Sequence, residues 1–183
     1  MQMIKRITDS DMLGGDPVFI DRVSRYSSRG IVIDGLMNIA MMYLSESDLY
    51  KLPGGGIEDN EQPRAAFLRE IKEETGYEAE ITHELGVIEE HKNRNSFMQL
   101  SYCYIAKAHH HSSAPTLTEN ELRLGMSVAW MTLSEALDVM AVSLNKCQRY
   151  SAKFMLLRDR IILEHAVNLL TGQDRAKGTY LNQ

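Results

Sequence analysis

Residues 55–77 read GGIEDNEQPRAAFLREIKEETGY. Proline costs nothing in the first turn of a helix, where its missing N–H has no partner to lose, and glycine readily takes the left-handed conformation that ends one. Pro63 and Gly76 therefore bracket a predicted helix from Pro63 to Thr75. On it, Glu70, Glu73 and Glu74 stand at i, i+3 and i+4, and at about 100° per residue they share one arc. Phe67, Leu68 and Ile71 fill the adjacent arc and would face a core. The carboxylates thus flank the buried side of the helix, and their mutual repulsion calls for a compensating positive charge. Lys72 lies on a different face. A hard divalent cation with oxygen ligands meets the need, because magnesium takes one or two carboxylates and keeps waters and substrate phosphates. Such an ion neutralises diphosphate charge and makes a water it binds more acidic. Immediately upstream, Pro53-Gly54-Gly55-Gly56 rules out regular structure and lets backbone come close to the acidic face and to a phosphate.

Working outward, RGIVIDGLMNIAMMYL at 29–44 reads as two strands around a tight turn near Asp34-Gly35. Strands are expected at about 79–90 and 97–108, then a loop HHHSSAPTLTEN, a strand SVAWMTL, and a helix SEALDVM capped by Ser134. A last helix is expected from Asn145 to about Leu170, with Phe154, Leu157, Ile161, Leu163 and Val167 as its apolar stripe. The resulting organisation is an N-terminal extension (1–25, with room for a short strand), one α/β domain (26–142), a C-terminal helix (143–171) and a polar tail (172–183).

The totals set limits. The chain has 183 residues, a formal net charge of -5, 44% hydrophobic and 25% charged residues, a composition suited to one globular domain. A mildly acidic chain makes a poor ligand for polymeric DNA or RNA. No run approaches the ~20 apolar residues of a membrane span, and no secretion signal is read at the start, so a cytoplasmic location is expected. Cys103 and Cys147 have no metal-ligand spacing and are read as reduced. Consecutive histidines alternate direction in extended chain, so His109 to His111 are read as exposed loop and not as a metal cluster. Tyr102 and Tyr104 could stack a base, but core packing is the default for them.

The 55–77 segment resembles the Nudix box, in which a glycine, five residues, Glu, and seven residues precede Arg-Glu-x-x-Glu-Glu-x-Gly. Gly55, Glu61, Arg69, Glu70, Glu73, Glu74 and Gly76 fall at the required spacing, and Ile71 fits the apolar position within the helix. Tyr77, where an aliphatic residue is usual, departs at a structural position. The preceding Lys51 to Gly55, KLPGG, is also typical, and a looser likeness extends over about 29–140, including Trp130 to Ala136. The resemblance implies a Nudix-type α/β/α sandwich with a central mixed sheet. It also implies a hydrolase that uses Mg2+ (Mn2+ may substitute) to cleave the diphosphate of a small nucleotide-like substrate, a nucleoside triphosphate among the candidates. By this likeness Glu73 and Glu74 would be principal metal ligands, and Glu70 a further ligand or the base that activates water. Gly55 would lend a backbone carbonyl, and Glu61 and Arg69 would pair to hold the loop on the helix. Glu121 would be an additional metal-binding or base glutamate, with Glu119 as its competitor. A nucleotide-sensing Nudix-fold protein without turnover is the alternative, although such proteins usually lose box carboxylates. Markers of particular substrates are lacking: the proline that some ADP-ribose-cleaving relatives carry about sixteen residues beyond the box is replaced by the neighbourhood of His91 to Arg94. The long final helix could serve a homodimer.

Overall fold

The computed structural model describes residues 1–171; the expected polar tail, 172–183, lies outside the described residues. Its centre is an eight-stranded mixed sheet ordered β1-β6-β7-β2-β3-β4, with β5 paired to β2 and β8 to β3. The strands are β1 (Met3–Thr8), β2 (Arg25–Ile33), β3 (Ile39–Leu44), β4 (Leu49–Lys51), β5 (Gly54–Gly56), β6 (Tyr77–Lys92), β7 (Phe97–His111) and β8 (Met126–Met131). The helices are α1 (Ser10–Leu13), α2 (Pro63–Thr75), α3 (Glu119–Arg123), α4 (Leu133–Lys146) and α5 (Tyr150–Leu170). Pairings β1–β6 and β2–β7 are parallel, whereas β6–β7, β2–β3, β3–β4, β2–β5 and β3–β8 are antiparallel.

Strand alternation explains the layers. Successive side chains point to opposite faces of a sheet. Val32, Ala40, Tyr104, Ala106 and Ala108 go to one side and pack with Phe67 and Ile71 of α2. Ile31, Ile33, Ile39, Met41, Cys103 and Ile105 go to the other and meet Ala136 and Met140 of α4 and Phe154, Leu156 and Ile162 of α5. Helices thus cover both faces, giving the expected α/β/α sandwich. Tyr104 stacks on Phe67 at a centroid distance of 5.6 Å, a core role. Both cysteines are free and buried, and burial pushes the Cys103 thiol up to about 12.

Four local expectations need correction. The helix after β8 is capped by Thr132, not Ser134: the Thr132 side chain accepts from the Glu135 N–H while Glu135 accepts from the Thr132 N–H, a reciprocal box that satisfies two orphan donors. The three histidines do not open a loop. His110 and His111 pair with Glu78 and Tyr77 as the end of β7, and His111 packs edge-on against Tyr77 at 5.1 Å. The final helix does not begin at Asn145, because α4 runs to Lys146 and Cys147–Arg149 separates it from α5. Nor is the buried stripe of α5 the one expected: Leu157 and Ile161 are only half-buried, while Leu156, Arg158, Asp159, Ile162 and Ala166 join Phe154 and Leu163 inside. Within the first 25 residues, β1 is a strand of the sheet itself, set parallel beside β6.

One glycine is indispensable to this packing. Gly30 pairs with Tyr104 across β2 and β7, and a Cβ on it would lie 2.0 Å from the Tyr104 carbonyl oxygen. Backbone cannot retreat from such a clash as a flexible side chain would. Gly30→Ala is therefore expected to destabilise the protein by at least the ~1–3 kcal/mol typical of overpacking, seen as a lower urea midpoint at unchanged m-value.

Candidate active site

α2 has the predicted bounds. Pro63 stands at its start, and Gly76 (φ +76) closes it by donating to the Lys72 carbonyl. A Cβ at Gly76 would also meet the Ser113 carbonyl oxygen at 2.1 Å, so the position needs glycine for conformation and for space. The following segment lies along the end of the helix: the Thr116 N–H donates to the Glu73 carbonyl (2.8 Å) and the Ser112 N–H to that of Gly76 (2.9 Å). This carries Thr118 and α3 to the acidic face.

An open cleft of 560 Å³ lies there, lined by Gly55, Glu70, Glu73, Glu74, Arg69, Glu121 and others. The chain's own cations hold its carboxylates. Arg69 donates to Glu61 through Nε (2.9 Å) and Nη2 (3.0 Å), to Glu70 (3.0 Å) and Glu73 (2.9 Å) through Nη1, and to the Gly56 carbonyl (3.0 Å). One guanidinium therefore acts both as the i,i+4 partner of Glu73 and as the pin that fastens the loop to the helix. Hydrogen bonding from Arg69 holds the Glu61 carboxyl below the usual glutamate range. Glu74 is sealed in, its side chain 1% exposed: Lys51 Nζ donates to Oε1 (2.6 Å) and the Gly54 N–H to Oε2 (2.8 Å). Glu73 differs, with a side chain 41% exposed and Arg69 as its contact. Glu121 lines the cleft, but its Oε2 accepts from the Thr118 N–H and hydroxyl, both at 2.8 Å, as the cap of α3. Glu119, on the same short helix, is not part of the lining.

Glu70 is the perturbed member. Burial raises its pKa first, the charge of Glu74 raises it further, and Arg69 opposes both. In metal-free protein Glu70 should accordingly titrate above the usual glutamate range. Because a bound cation favours the ionised ligand, added magnesium should bring that titration down. Carbon NMR of labelled glutamates with and without magnesium measures both; an ordinary value in EDTA would contradict the arrangement.

The donor set suits a hard divalent cation: carboxylate oxygens together with loop backbone. Gly55 forms the cradle, since a Cβ there would lie 2.3 Å from Glu70 Oε1. Among the described residues no three acidic, histidine or cysteine side chains stand converged in ligating geometry. Arg69 Nη1 holds Glu70 and Glu73 together, so an ion placed there would compete with the guanidinium for them.

Two partners in this site have no local signature in the sequence. Lys51 belongs to the KLPGG stretch but reaches Glu74 across 23 positions. Arg25, at the start of β2, lines the cleft, with its guanidinium 2.9 Å from where a Cβ of Gly56 would stand. Neither could be placed without the sheet.

A mixed sheet between helices, with an acidic helix lying beneath a glycine loop, defines the class of fold, and the comparisons name the family. The family model for the NUDIX domain matches residues 42–150, and the chain belongs to that family. Human diphosphoinositol polyphosphate phosphohydrolase 3-beta is 28% identical over 93 residues, 51% of this chain and 53% of that protein. A putative 8-oxo-dGTP diphosphatase of Bacillus subtilis is 36% identical over 62 residues, 34% of this chain and 42% of that one. The chain spans about half the length of the curated relatives it matches. Among solved structures, a NUDIX hydrolase from Nitrosomonas europaea superposes with a TM-score of 0.54 at 16% identity, covering 72% of this chain and 90% of that one. No described helix is long and apolar enough to cross a membrane.

Proposed function

We propose that the protein is a magnesium-dependent hydrolase, manganese being able to substitute, that cleaves the diphosphate linkage of a small nucleotide-like molecule. The observation that carries this reading is the gathering of Glu70, Glu73 and Glu74 around one cleft beneath Gly55. Glu70, Glu73, Glu74, the Gly55 carbonyl and Glu121 are the groups that would hold the ion. When bound, the ion would offset phosphate charge and make water easier to deprotonate. Glu70, lining the cleft beside the other carboxylates, is suited by position to take the proton from the attacking water. Arg69 positions that carboxylate, and Glu61 positions Arg69. The names of the two relatives, one a diphosphoinositol polyphosphate phosphohydrolase and one a putative 8-oxo-dGTP diphosphatase, support a phosphate-rich diphosphate as substrate.

The test is a panel of nucleoside triphosphates, nucleotide sugars, ADP-ribose, dinucleoside polyphosphates and diphosphoinositol polyphosphates, assayed with magnesium and with EDTA. Turnover is expected with the ion and should fall to background in chelator. Release of pyrophosphate, phosphate or two monophosphates identifies the bond that is cut. Chelator-insensitive turnover, or none on any diphosphate, would overturn the reading.

A further inference from the structure

Beside the acidic cleft, and sharing Arg25, Gly55 and Glu121 with it, lies a second pocket of 410 Å³. Its lining carries six cations, Arg25, Arg29, Lys51, Lys92, Arg149 and Arg158, against one carboxylate, Glu121. Part of that charge is answered from behind. Arg158 donates to Glu90 (2.7 Å) and Asp159 (2.8 Å), Lys92 lies 3.2 Å from Glu90, Arg29 lies 3.9 Å from Asp159, and Lys51 holds Glu74. With Glu74, Glu90 and Asp159 counted, two positive charges still have no counterpart, in a chain whose net charge is -5.

The buried part of this cluster is imperfectly paired. Arg158 Nη2 and Arg29 Nε, on side chains 2% and 7% exposed, and the carboxylate oxygen Glu90 Oε1 are buried without a hydrogen-bond partner. Leaving charged groups unsatisfied costs more than leaving neutral ones, so the cluster is imperfectly paired behind the pocket, and the surplus of cations along its lining is the charge left to answer. Arginine and lysine only donate, so the group that completes the pocket must be acceptor-only, compact and multiply charged. A phosphoryl group has these properties, and it matches the planar guanidinium fork. Leu44, Leu124, Met126 and Met155 supply an apolar wall beside it, suited to the uncharged body that carries such a phosphate.

We propose that this pocket is a phosphoryl-binding subsite, which selects diphosphates that bear an additional phosphate group beyond the linkage that is cut. The word substrate here rests on the hydrolase reading; the anion site does not. Arg149, Ser151, Ala152, Met155 and Arg158 come from α5 and the residue before it, so the selectivity would be set largely outside the acidic helix.

Two measurements test it. The first is calorimetric titration of the whole protein with inorganic triphosphate in EDTA, where the carboxylate cleft has no ion to attract an anion. Binding is expected, about tenfold or more weaker in Arg149→Gln, whose exposed side chain leaves folding unaffected, and weaker also in Arg158→Met. It should be undiminished in Glu73→Gln. The second compares kcat/KM with magnesium for matched diphosphates, coenzyme A against dephospho-coenzyme A and NADPH against NADH. The phosphorylated member should be preferred about tenfold, and Arg149→Gln should erase the preference. Absence of triphosphate binding, binding insensitive to Arg149→Gln, or equal kcat/KM within both pairs would overturn the subsite. Triphosphate binding that Arg149→Gln weakens, without turnover of any diphosphate, would uphold the anion site and sink the hydrolase reading instead.

Discussion

Glu73→Gln should lower kcat by on the order of 10²–10³, the range seen when one preorganised charge-stabilising group is lost, while the thermal midpoint stays close to wild type. The separation of the two effects follows from where Glu73 sits. Its side chain is 41% exposed and has a single ion-pair partner, Arg69, which keeps Glu61 and Glu70. Exposed pairs of this kind contribute little to folding, ~0–1 kcal/mol, and glutamine keeps the helix propensity and the size of the side chain. The neighbouring Glu74 is a contrasting case. Its two oxygens are occupied by Lys51 and the Gly54 N–H, so the same substitution there would harm stability as well as turnover. Steady-state kinetics at saturating magnesium with parallel calorimetry decide the matter, and wild-type kcat in Glu73→Gln would contradict the role given to this carboxylate.

Asp159→Ala should cost about 3–5 kcal/mol, the usual consequence of removing one partner from a buried ion pair. Asp159 is fully buried in α5. It accepts from Arg158 Nε (2.8 Å) and from the Leu52 N–H (2.9 Å), and Arg29 lies 3.9 Å away. Its loss would leave Arg158 with Glu90 alone, take a carboxylate from Arg29 and strand a backbone donor in the interior. Burial by itself would raise the pKa of the neighbouring Glu90, but Arg158, Lys92 and Arg29 together hold it down, so the network is coupled and the damage should spread. For a chain of this size, a loss of that order corresponds to a fall of about 6–20 °C in the midpoint. A shift below 2 °C would mean that α5 is dispensable to the fold.

These two residues also mark what could be read from the sequence. Glu73 lies in a segment whose signals are local: Pro63, Gly76 and the i, i+3, i+4 carboxylates are interpretable within about four turns of helix, and α2 has the expected bounds. Asp159 was opaque. The run 150–163 presents Arg-Asp-Arg amid apolar residues, and a periodicity argument assigns charges to solvent. Here a buried acceptor was required by Leu52, 107 positions earlier. Lys51 was read only as part of KLPGG and Arg25 was not singled out, for the same reason: what each lies against is brought near only by strand pairing. The misplaced cap at Ser134 is a local competition: Thr132 has glutamate three residues on, which makes the reciprocal box, and Ser134 does not. The histidines at 109–111 were misread because polar composition says little about a strand whose neighbour, β6, supplies the ladder.

The glycine-rich segment between β4 and α2 is stitched down at both ends, by Lys51 and Gly54 to Glu74 and by Gly56 and Glu61 to Arg69. Its conformational freedom is therefore surrendered when the chain folds, and little remains to be lost at each encounter with a ligand. A loop immobilised beforehand spares a ligand the entropy of ordering it, so on the hydrolase reading the temperature dependence of turnover should carry little from the settling of a lid.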